Sequence, residues 1–488
     1  MELPLIELDP ESGLPLYRQL YEGLRRAIVS GRLARGTRLP STRALAEVLG
    51  VSRTTLTSTF AQLVSEGYLE AAVGSGTFVS TELPDETPRG GAAATPRESG
   101  PSFRLSAYGA TLLEAEPLEP PRVPGTIDFR DGRPAFDHFP YAAWRRCIAR
   151  HLRGGTHAFD YSPDPAGLRP LREAIAAYLG RARAVHCDPA DVVIVTGSQQ
   201  AIDLVARILI EPRDVVALED PGYPGAQRTF SAHGADVRGV PVDGEGLRVD
   251  LLRELDGPVR LVYVTPSHQF PLGAVLPLWR RLELLRWAEQ TEAIIVEDDY
   301  DSAYRYEGRP IPALQGLDTH GRVVYVGTFS KTMFPALRIG YVVAPRRLRD
   351  VVIAAKAFSD RQSPVLEQHA LADFIAEGSF ERHLRRMRVL YRERRAALLA
   401  ALRRHIGEDA EVVGERAGMH LVVRLRGVDE AALVQRARRA GVVLTSTRAH
   451  YLDGGLRGEF VFGFAEHTQE TIDEGVARLA AALRAVSS

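Results

Sequence analysis

Two lysines, Lys331 and Lys356, stand in a chain of 488 residues whose other basic side chains, histidine apart, are all arginine. Few places can therefore support carbonyl–amine condensation, and Lys331 has the surroundings for it. It follows the strand-like run RVVYVGTF, lies next to Ser330 and precedes Arg338 by seven residues. Imine formation needs a neutral amine, which enclosure beside a cation favours. Lys356, in the helical run VVIAAKAFSD, lacks such neighbours and is expected on the solvated surface. Upstream, AIIVEDDY carries Glu297, Asp298 and Asp299. Alone, that cluster reads as a magnesium site or a strand-end turn. With Lys331 downstream, Asp298 instead suits a buried anion that keeps a heterocyclic nitrogen protonated.

Pyridoxal phosphate asks a protein for a lysine, an acid opposite the pyridine nitrogen, donors for the phosphate and a flat partner for the ring. The sequence has candidates for each. The strand VVIVTG runs into Gly197, Ser198 and Gln199 and then the helix AIDLVARILI, so free backbone N–H groups at a helix start face an anion. Ser330 and Arg338 are placed to close the other side of the phosphate. Tyr223, in the turn EDPGYP after another strand, is the ring-stacking candidate; elsewhere such a residue is simply a turn aromatic. Tyr300, two residues beyond Asp298, falls on the same side of a continued strand and can donate to the ring's phenolic oxygen.

Positioning these groups takes alternating strands and helices, and from Ile127 onward apolar strand-like runs do alternate with helical stretches. That predicts an α/β domain with a mainly parallel sheet, helices on both faces. The expected organisation is a helical module over 1–79, a linker over 80–125 and the α/β domain over 126–488, divided into a large part (about 126–365) and a C-terminal α+β part (about 405–488). The linker is rich in Pro, Gly, Ala, Ser and Glu, although RLSAYGATLLEAEP within it can form a short helix that docks on a neighbour. With 45% hydrophobic and 25% charged residues the chain reads as globular. No apolar run is long enough to span a bilayer, and MELPLIELDP lacks the basic start of a signal peptide, which predicts a cytoplasmic protein without a membrane partner. Cys147 and Cys187 have no metal-ligand spacing, so neither a disulfide framework nor a metal site is expected.

The N-terminal module carries the positive charge. Between Arg18 and Arg53 eight arginines face two glutamates, a balance suited to a phosphate backbone. Leu16, Leu20, Leu24 and Ile28 recur every fourth residue, predicting a helix over 15–30. Ser41 caps a second helix reaching Leu49, Gly50 and Val51 turn, and Ser52 caps a third that buries Leu56, Phe60, Leu63 and Val64. This is a helix-turn-helix, in which Arg53, Thr54, Thr55 and Thr57 reach base edges in the major groove of double-stranded DNA. Residues 67–69 and 77–79 pair as a wing around Gly74, Ser75 and Gly76.

The wording LPSTRALA, LGVSRTT and EGYL resembles the winged helix of the GntR family of bacterial regulators. That resemblance implies operator binding with Arg43, Arg53 and Gly76 among the DNA contacts. GSQQAIDL, EDPGYPGAQ, VTPSHQFPLGAV, VEDDYDSAYRY and GTFSKTMFPALRIGY together resemble the fold-type I aminotransferases and, more narrowly, the MocR-type subfamily of GntR regulators, where a winged helix is fused to an aminotransferase-like domain. By that resemblance Lys331 bears pyridoxal 5'-phosphate as a Schiff base, Asp298 meets the pyridine nitrogen, Tyr300 the ring oxygen and Tyr223 the ring face. Ser198, Gln199, Ser330 and Arg338 hold the phosphate, and Tyr161 reaches the partner subunit's cofactor in a head-to-tail homodimer. One departure concerns turnover: Phe270 stands before Pro271-Leu272-Gly273 where many aminotransferases place the asparagine that holds the ring oxygen, leaving His268 or Gln269 as substitutes. Arg448 and Arg457 both qualify as the clamp for an effector's acid group. The implied role is a sensor for the cofactor, a small amine or an amino acid, with an active aminotransferase as the alternative.

Overall fold

The computed structural model describes all residues except 1–7, 10–11, 73–74, 85–103, 115–120, 154–159, 163, 307–310, 457 and 488. The chain divides into two compact units, residues 1–104 and 105–488. No helix among the described residues is long and apolar enough to cross a membrane.

In the first unit, α1 (Leu16–Val29), α2 (Thr42–Leu49) and α3 (Arg53–Ser65) precede the hairpin of β1 (Leu69–Ala72) and β2 (Gly76–Val79). Each helix start has a local cause. Ser41 Oγ accepts from Ala44 N at 3.2 Å, and Ser52 Oγ from Thr55 N at 3.1 Å, so each satisfies an N–H that the helix leaves unpaired. Gly50 ends α2 in the left-handed region, at φ 65°. The fourfold spacing of Leu20, Leu24 and Ile28 turns one face of α1 onto Leu56, Phe60 and Leu63 of α3, forming one small core with Leu45 and Leu69. In the hairpin Leu69 pairs with Val79 and Ala72 with Gly76; Gly74, expected at its tip, lies outside the described residues. The connector before α2 extends the wing, with Leu39 N donating to Thr77 O and Val79 N to Thr37 O.

The second unit opens with α4 (Ala107–Glu114), the short helix expected within the linker-like stretch. It packs on the helix Pro224–Ala232, with the Tyr108 and His233 ring centroids 5.1 Å apart. The strands follow as β3 (Ile127–Asp128), β4 (Val192–Val195), β5 (Val215–Asp220), β6 (Asp236–Asp243), β7 (Gly246–Leu247), β8 (Val259–Val264), β9 (Ile294–Asp299), β10 (Val323–Thr328) and β11 (Gly340–Val343). Among the described residues, β4 to β11 make one eight-stranded sheet in the order β4-β11-β10-β9-β8-β5-β6-β7. The pairings from β10 through β9, β8 and β5 to β6 are parallel, while β11 runs antiparallel to both of its neighbours. The continuous apolar runs are thereby explained, because such strands are covered on both faces. Within β4, Val193 and Val195 face α7 (Ser198–Leu209), whereas Val192 and Ile194 face α6 (Arg169–Arg183), as the two-residue period requires. Helices α5 (Tyr141–Arg153) and α8 (Pro224–Ala232) complete the elements near the site.

The C-terminal part holds a smaller antiparallel sheet of β12 (Ala410–Val413), β13 (His420–Leu425), β15 (Thr445–Ser446) and β16 (Glu459–Gly463), while β14 (Val442–Val443) pairs with β3. The helix Ser379–His405 joins it to the large sheet and buries Leu384, Met387, Tyr391 and Leu398.

One expectation fails here. Lys356 is fully buried rather than solvated. It lies one helical turn after Val352 on the inward face of the helix Arg346–Asp360, and Asp360 meets its Nζ at 2.5 Å. Burial lowers its pKa against that ion pair. The i,i+4 carboxylate is what makes the inward position tolerable.

Candidate functional site

The carboxyl ends of parallel strands and the start of a helix enclose a cavity of about 470 Å³ in the second unit, where open α/β sheets place ligands. Lys331, Asp298, Tyr300, Tyr223, Ser198, Gln199, Ser330 and Arg338 all line it.

Strand alternation sorts the three acids of β9. Asp298 faces the cavity. Glu297 turns the other way and accepts from Leu314 N at 3.0 Å and Gln315 N at 2.9 Å, and Asp299 pairs with Arg183 Nε at 2.7 Å. They form no shared cation site, because neighbouring side chains on a strand point apart. Asp298 Oδ2 accepts from Tyr263 OH at 2.7 Å, while its buried Oδ1 has no partner. Burial pushes this carboxyl up to about 7 even though Tyr263 works against it. A buried acceptor with one oxygen unsatisfied fits a protonated ring nitrogen.

Lys331 follows β10 and donates from Nζ to Gly132 O at 3.3 Å. A Cβ at residue 132 would lie 2.5 Å from that Nζ, the movable end of its side chain, and the backbone there has φ 98°, a conformation that favours glycine. At the phosphate end, α7 starts at Ser198 with Gly197 as a cap that supplies no side-chain bond. Its first N–H groups are open to an anion. Arg338, itself at φ 51°, reaches across Gly197 and donates to Thr196 O at 2.6 Å, and Ser330 bonds Thr328 Oγ1 at 3.1 Å. Tyr223 stands edge-on to Phe270, centroids 5.9 Å apart. The residues present therefore fit pyridoxal phosphate at all four points.

The structure places the remaining candidates elsewhere. His268 does not line the cavity; it lies behind Tyr300, whose hydroxyl is 2.9 Å from His268 Nδ1 and equally close to His268 O. Its Nδ1 is also 3.0 Å from Asp301 Oδ2. Gln269 is spent on the carbonyls of Pro221 and Phe270, and Phe270 takes the lining position. Arg448 is exposed and donates to Gly454 O, away from the cavity, and Arg457 lies outside the described residues. Tyr161 is 66% exposed, with the Arg361 guanidinium 4.0 Å from its ring centroid.

Residues that the sequence did not single out also line it, among them Arg130, Asp131, Tyr263, Thr265, Thr445 and His450. Asp131 and Gly132 come from a loop about 200 positions before Lys331, and only an Asp-Gly pair hinted at a tight turn there. Burial disfavours the Asp131 carboxylate, yet Lys331, His420 and His450 outweigh that and hold its pKa below the ordinary value.

In the first unit Arg43, Arg53, Thr54, Thr57 and Gly76 are all exposed. Thr55 is half-buried, and its hydroxyl and N–H both bond Ser52 Oγ, drawing it into the helix cap. Arg38 lies beside Gly76, where a Cβ would stand 3.0 Å from Arg38 Nε.

The chain matches the gntR family of bacterial regulatory proteins over residues 16–79 and aminotransferase class I and II over residues 124–479. It is 40% identical to the probable rhizopine catabolism regulatory protein MocR of Rhizobium meliloti, covering 99% of this chain and 97% of the relative. It is 32% identical to the pyridoxine biosynthesis transcriptional regulator PdxR of Corynebacterium glutamicum, covering 96% of each. Among solved structures, LysN, the α-aminoadipate aminotransferase of Thermus thermophilus, matches with a TM-score of 0.69 at 31% identity, covering 79% of this chain and 96% of that one.

Proposed function

The chain belongs to the MocR-type subfamily of GntR-family regulators, and from that premise we propose a transcription regulator whose aminotransferase-like domain holds pyridoxal 5'-phosphate on Lys331 and senses a small amine, an amino acid or the cofactor itself. The observation that carries the reading is the convergence of the Lys331 amine, the unsatisfied Asp298 Oδ1 and the open start of α7 on one cavity. When bound, the cofactor supplies an aldehyde conjugated to an electron-accepting ring. The protein's share is placement. Asp298, fixed by Tyr263, would hold a proton at the ring nitrogen. Tyr300, whose hydroxyl His268 holds, would serve the ring oxygen, Tyr223 would cover the ring, and Ser198, Gln199, Ser330 and Arg338 would take the phosphate.

Residues 1–79 bind operator DNA through Arg43, Arg53, Thr54, Thr57 and the wing at Gly76; residues 80–125 link them to the sensor. The protein acts in the cytoplasm as a head-to-tail homodimer, and the genes it controls serve cofactor biosynthesis or amine catabolism, in keeping with the rhizopine catabolism and pyridoxine biosynthesis that MocR and PdxR regulate. Regulation requires an effector that binds two arrangements of the dimer unequally.

Adding the cofactor to purified protein tests this. Wild type gains a visible absorbance band and Lys331→Ala does not; a band of full intensity in the variant sinks the attachment site. Sustained turnover of an amino acid with a keto acid, independent of DNA, would replace sensing by catalysis.

A further inference from the structure

Phe270 lines the cavity and has no group to give a ring oxygen, which leaves that task to the Tyr300 hydroxyl. Behind Tyr300 lies a buried polar pair outside the lining, His268 and Asp301. His268 Nδ1 is 2.9 Å from Tyr300 OH and 3.0 Å from Asp301 Oδ2, while its buried Nε2 has no partner. Because a carboxylate only accepts, the tautomer that strands no donor carries its hydrogen on Nδ1, between Asp301 and the tyrosine oxygen. The Tyr300 hydroxyl in turn donates to His268 O at 2.9 Å. A loop clamps the pair. A Cβ on Gly418, at φ 80°, would stand 2.3 Å from His268 Nδ1 and 2.6 Å from Asp301 Oδ2, and Gly418 is tied through its carbonyl to Tyr306 OH at 2.6 Å and through its N–H to Tyr304 O at 2.8 Å. Asp301 Oδ1 is buried without a partner. Packing alone gains nothing from an imidazole and an acid with stranded atoms, so the pair calls for a functional account.

We propose that His268, held by Asp301, is a positioning residue that fixes and polarises the Tyr300 hydroxyl as donor to the cofactor's ring oxygen, the task for which Phe270 offers no group. The inference rests on the cofactor-bearing cavity proposed above. When the Tyr300 hydrogen leaves His268 O for an acceptor in the cavity, the tyrosine oxygen accepts from Nδ1–H, and each bond strengthens the next. Burial, with the charges of Asp301, Asp131, Asp298 and Glu219, holds the Tyr300 pKa well above its ordinary value, so the hydroxyl keeps the hydrogen it is to give. His420 packs against His268 with ring centroids 5.0 Å apart and gives Nε2–H to Pro271 O at 3.0 Å. Lys331, Arg130, Arg338 and His450 are the other cations and imidazoles on the lining. A stronger donor at the ring oxygen favours its anion, which lowers the pH at which the visible chromophore is half deprotonated.

The test uses the full-length protein and two readings: the Kd for pyridoxal phosphate, by absorbance titration of stripped protein, and the pH at which the visible band of loaded protein is half converted. His268→Leu, Tyr300→Phe and the double variant form a cycle, and His268→Asn, whose amide N–H can stand near Nδ1, is the conservative replacement. The expected result is that His268→Leu raises Kd about 3- to 10-fold and the pH midpoint by at least about 0.5 unit, and that His268→Asn recovers at least about half of both. Adding His268→Leu to Tyr300→Phe is expected to change neither reading further. Where His268→Leu does not fold, as judged by circular dichroism, Asp301→Asn takes its place in the cycle, with smaller changes of the same sign. Readings equal to wild type in the folded variant overturn the proposal. So does an effect undiminished in the Tyr300→Phe background, the mark of a merely structural role. If the wild-type band has no pH midpoint, the cycle in Kd decides by the same criteria. A protein that never develops the band overturns the cofactor reading instead, and this inference with it.

Discussion

Replacing Asp298 by asparagine is expected to move two properties in opposite directions. The carboxyl is 4% exposed, and burial raises its pKa from the ordinary 3.8 to about 7 in the absence of ligand. An acid raised in the folded state gives stability that is complete below its unfolded pKa and is lost as pH climbs through its folded one. A displacement of roughly 3 pH units at about 1.36 kcal/mol each sets a ceiling near 4 kcal/mol, which water entering the cavity reduces. Asparagine keeps an acceptor for Tyr263 OH and cannot ionise. Cofactor-stripped Asp298→Asn is therefore more stable than stripped wild type by on the order of 1–3 kcal/mol at about pH 8.5, an advantage that is smaller at about pH 5 and vanishes only below the ordinary carboxylate pKa, where the wild-type side chain is protonated in the folded and the unfolded chain alike. Cofactor affinity falls instead, because a hydrogen bond to a charged partner worth about 1.5–3 kcal/mol is lost, or roughly 10- to 150-fold in Kd. Denaturant melts of stripped protein at the two pH values and absorbance titration with pyridoxal phosphate read both effects. A variant no more stable than wild type at high pH would refute the strained carboxylate, and an unchanged Kd would refute its place at the ring nitrogen.

Three other outcomes follow from the same geometry. Arg53→Ala weakens operator binding by about 1–3 kcal/mol if the exposed start of α3 reads a base pair, measured by fluorescence anisotropy at fixed salt; equal binding means the recognition residue has been misassigned. Ser52→Ala removes the acceptor for Thr55 N and lowers stability by about 1 kcal/mol, checked by chemical denaturation; a change within error leaves the cap without energetic weight. Arg183→Leu strands Asp299, whose pKa is held below its ordinary value against burial by Arg183, Ser302 and Tyr325, and costs about 3–5 kcal/mol in a denaturant melt near neutral pH. Because that acid is depressed, the stability it contributes in wild type is present above the ordinary carboxylate pKa and disappears as pH falls below it, so the gap between wild type and Arg183→Leu narrows in acid.

Much of this molecule was legible locally. The fourfold spacing of Leu20, Leu24 and Ile28, the caps Ser41 and Ser52 and the turn at Gly50 settle the N-terminal helices, because helix starts and stops depend on a few neighbouring atoms. Continuous apolar runs announced a covered parallel sheet. Lys331 and Asp298 stood out because each stands at or just past the end of an apolar strand and carries a side chain unusual there.

What the chain order withheld were facts of packing. What Glu297 and Asp299 do beside Asp298 on β9 was not legible: Glu297 accepts from Leu314 N and Gln315 N, and Asp299 pairs with Arg183. Lys356 read as a surface residue because a helix pattern shows a face without showing what covers it, and Asp360 neutralises it one turn on. Arg448 and His268 had the right chemistry, yet loop geometry turns the first outward and Tyr300 stands between the second and the cavity. Asp131 and Gly132 reach Lys331 across about 200 positions, a meeting that no local rule encodes. The sequence by itself determined which side chains were available for chemistry and which elements would carry them. Tertiary structure alone decided which of them share a cavity and with what charge, because burial and distance between remote segments exist only once the sheet has formed.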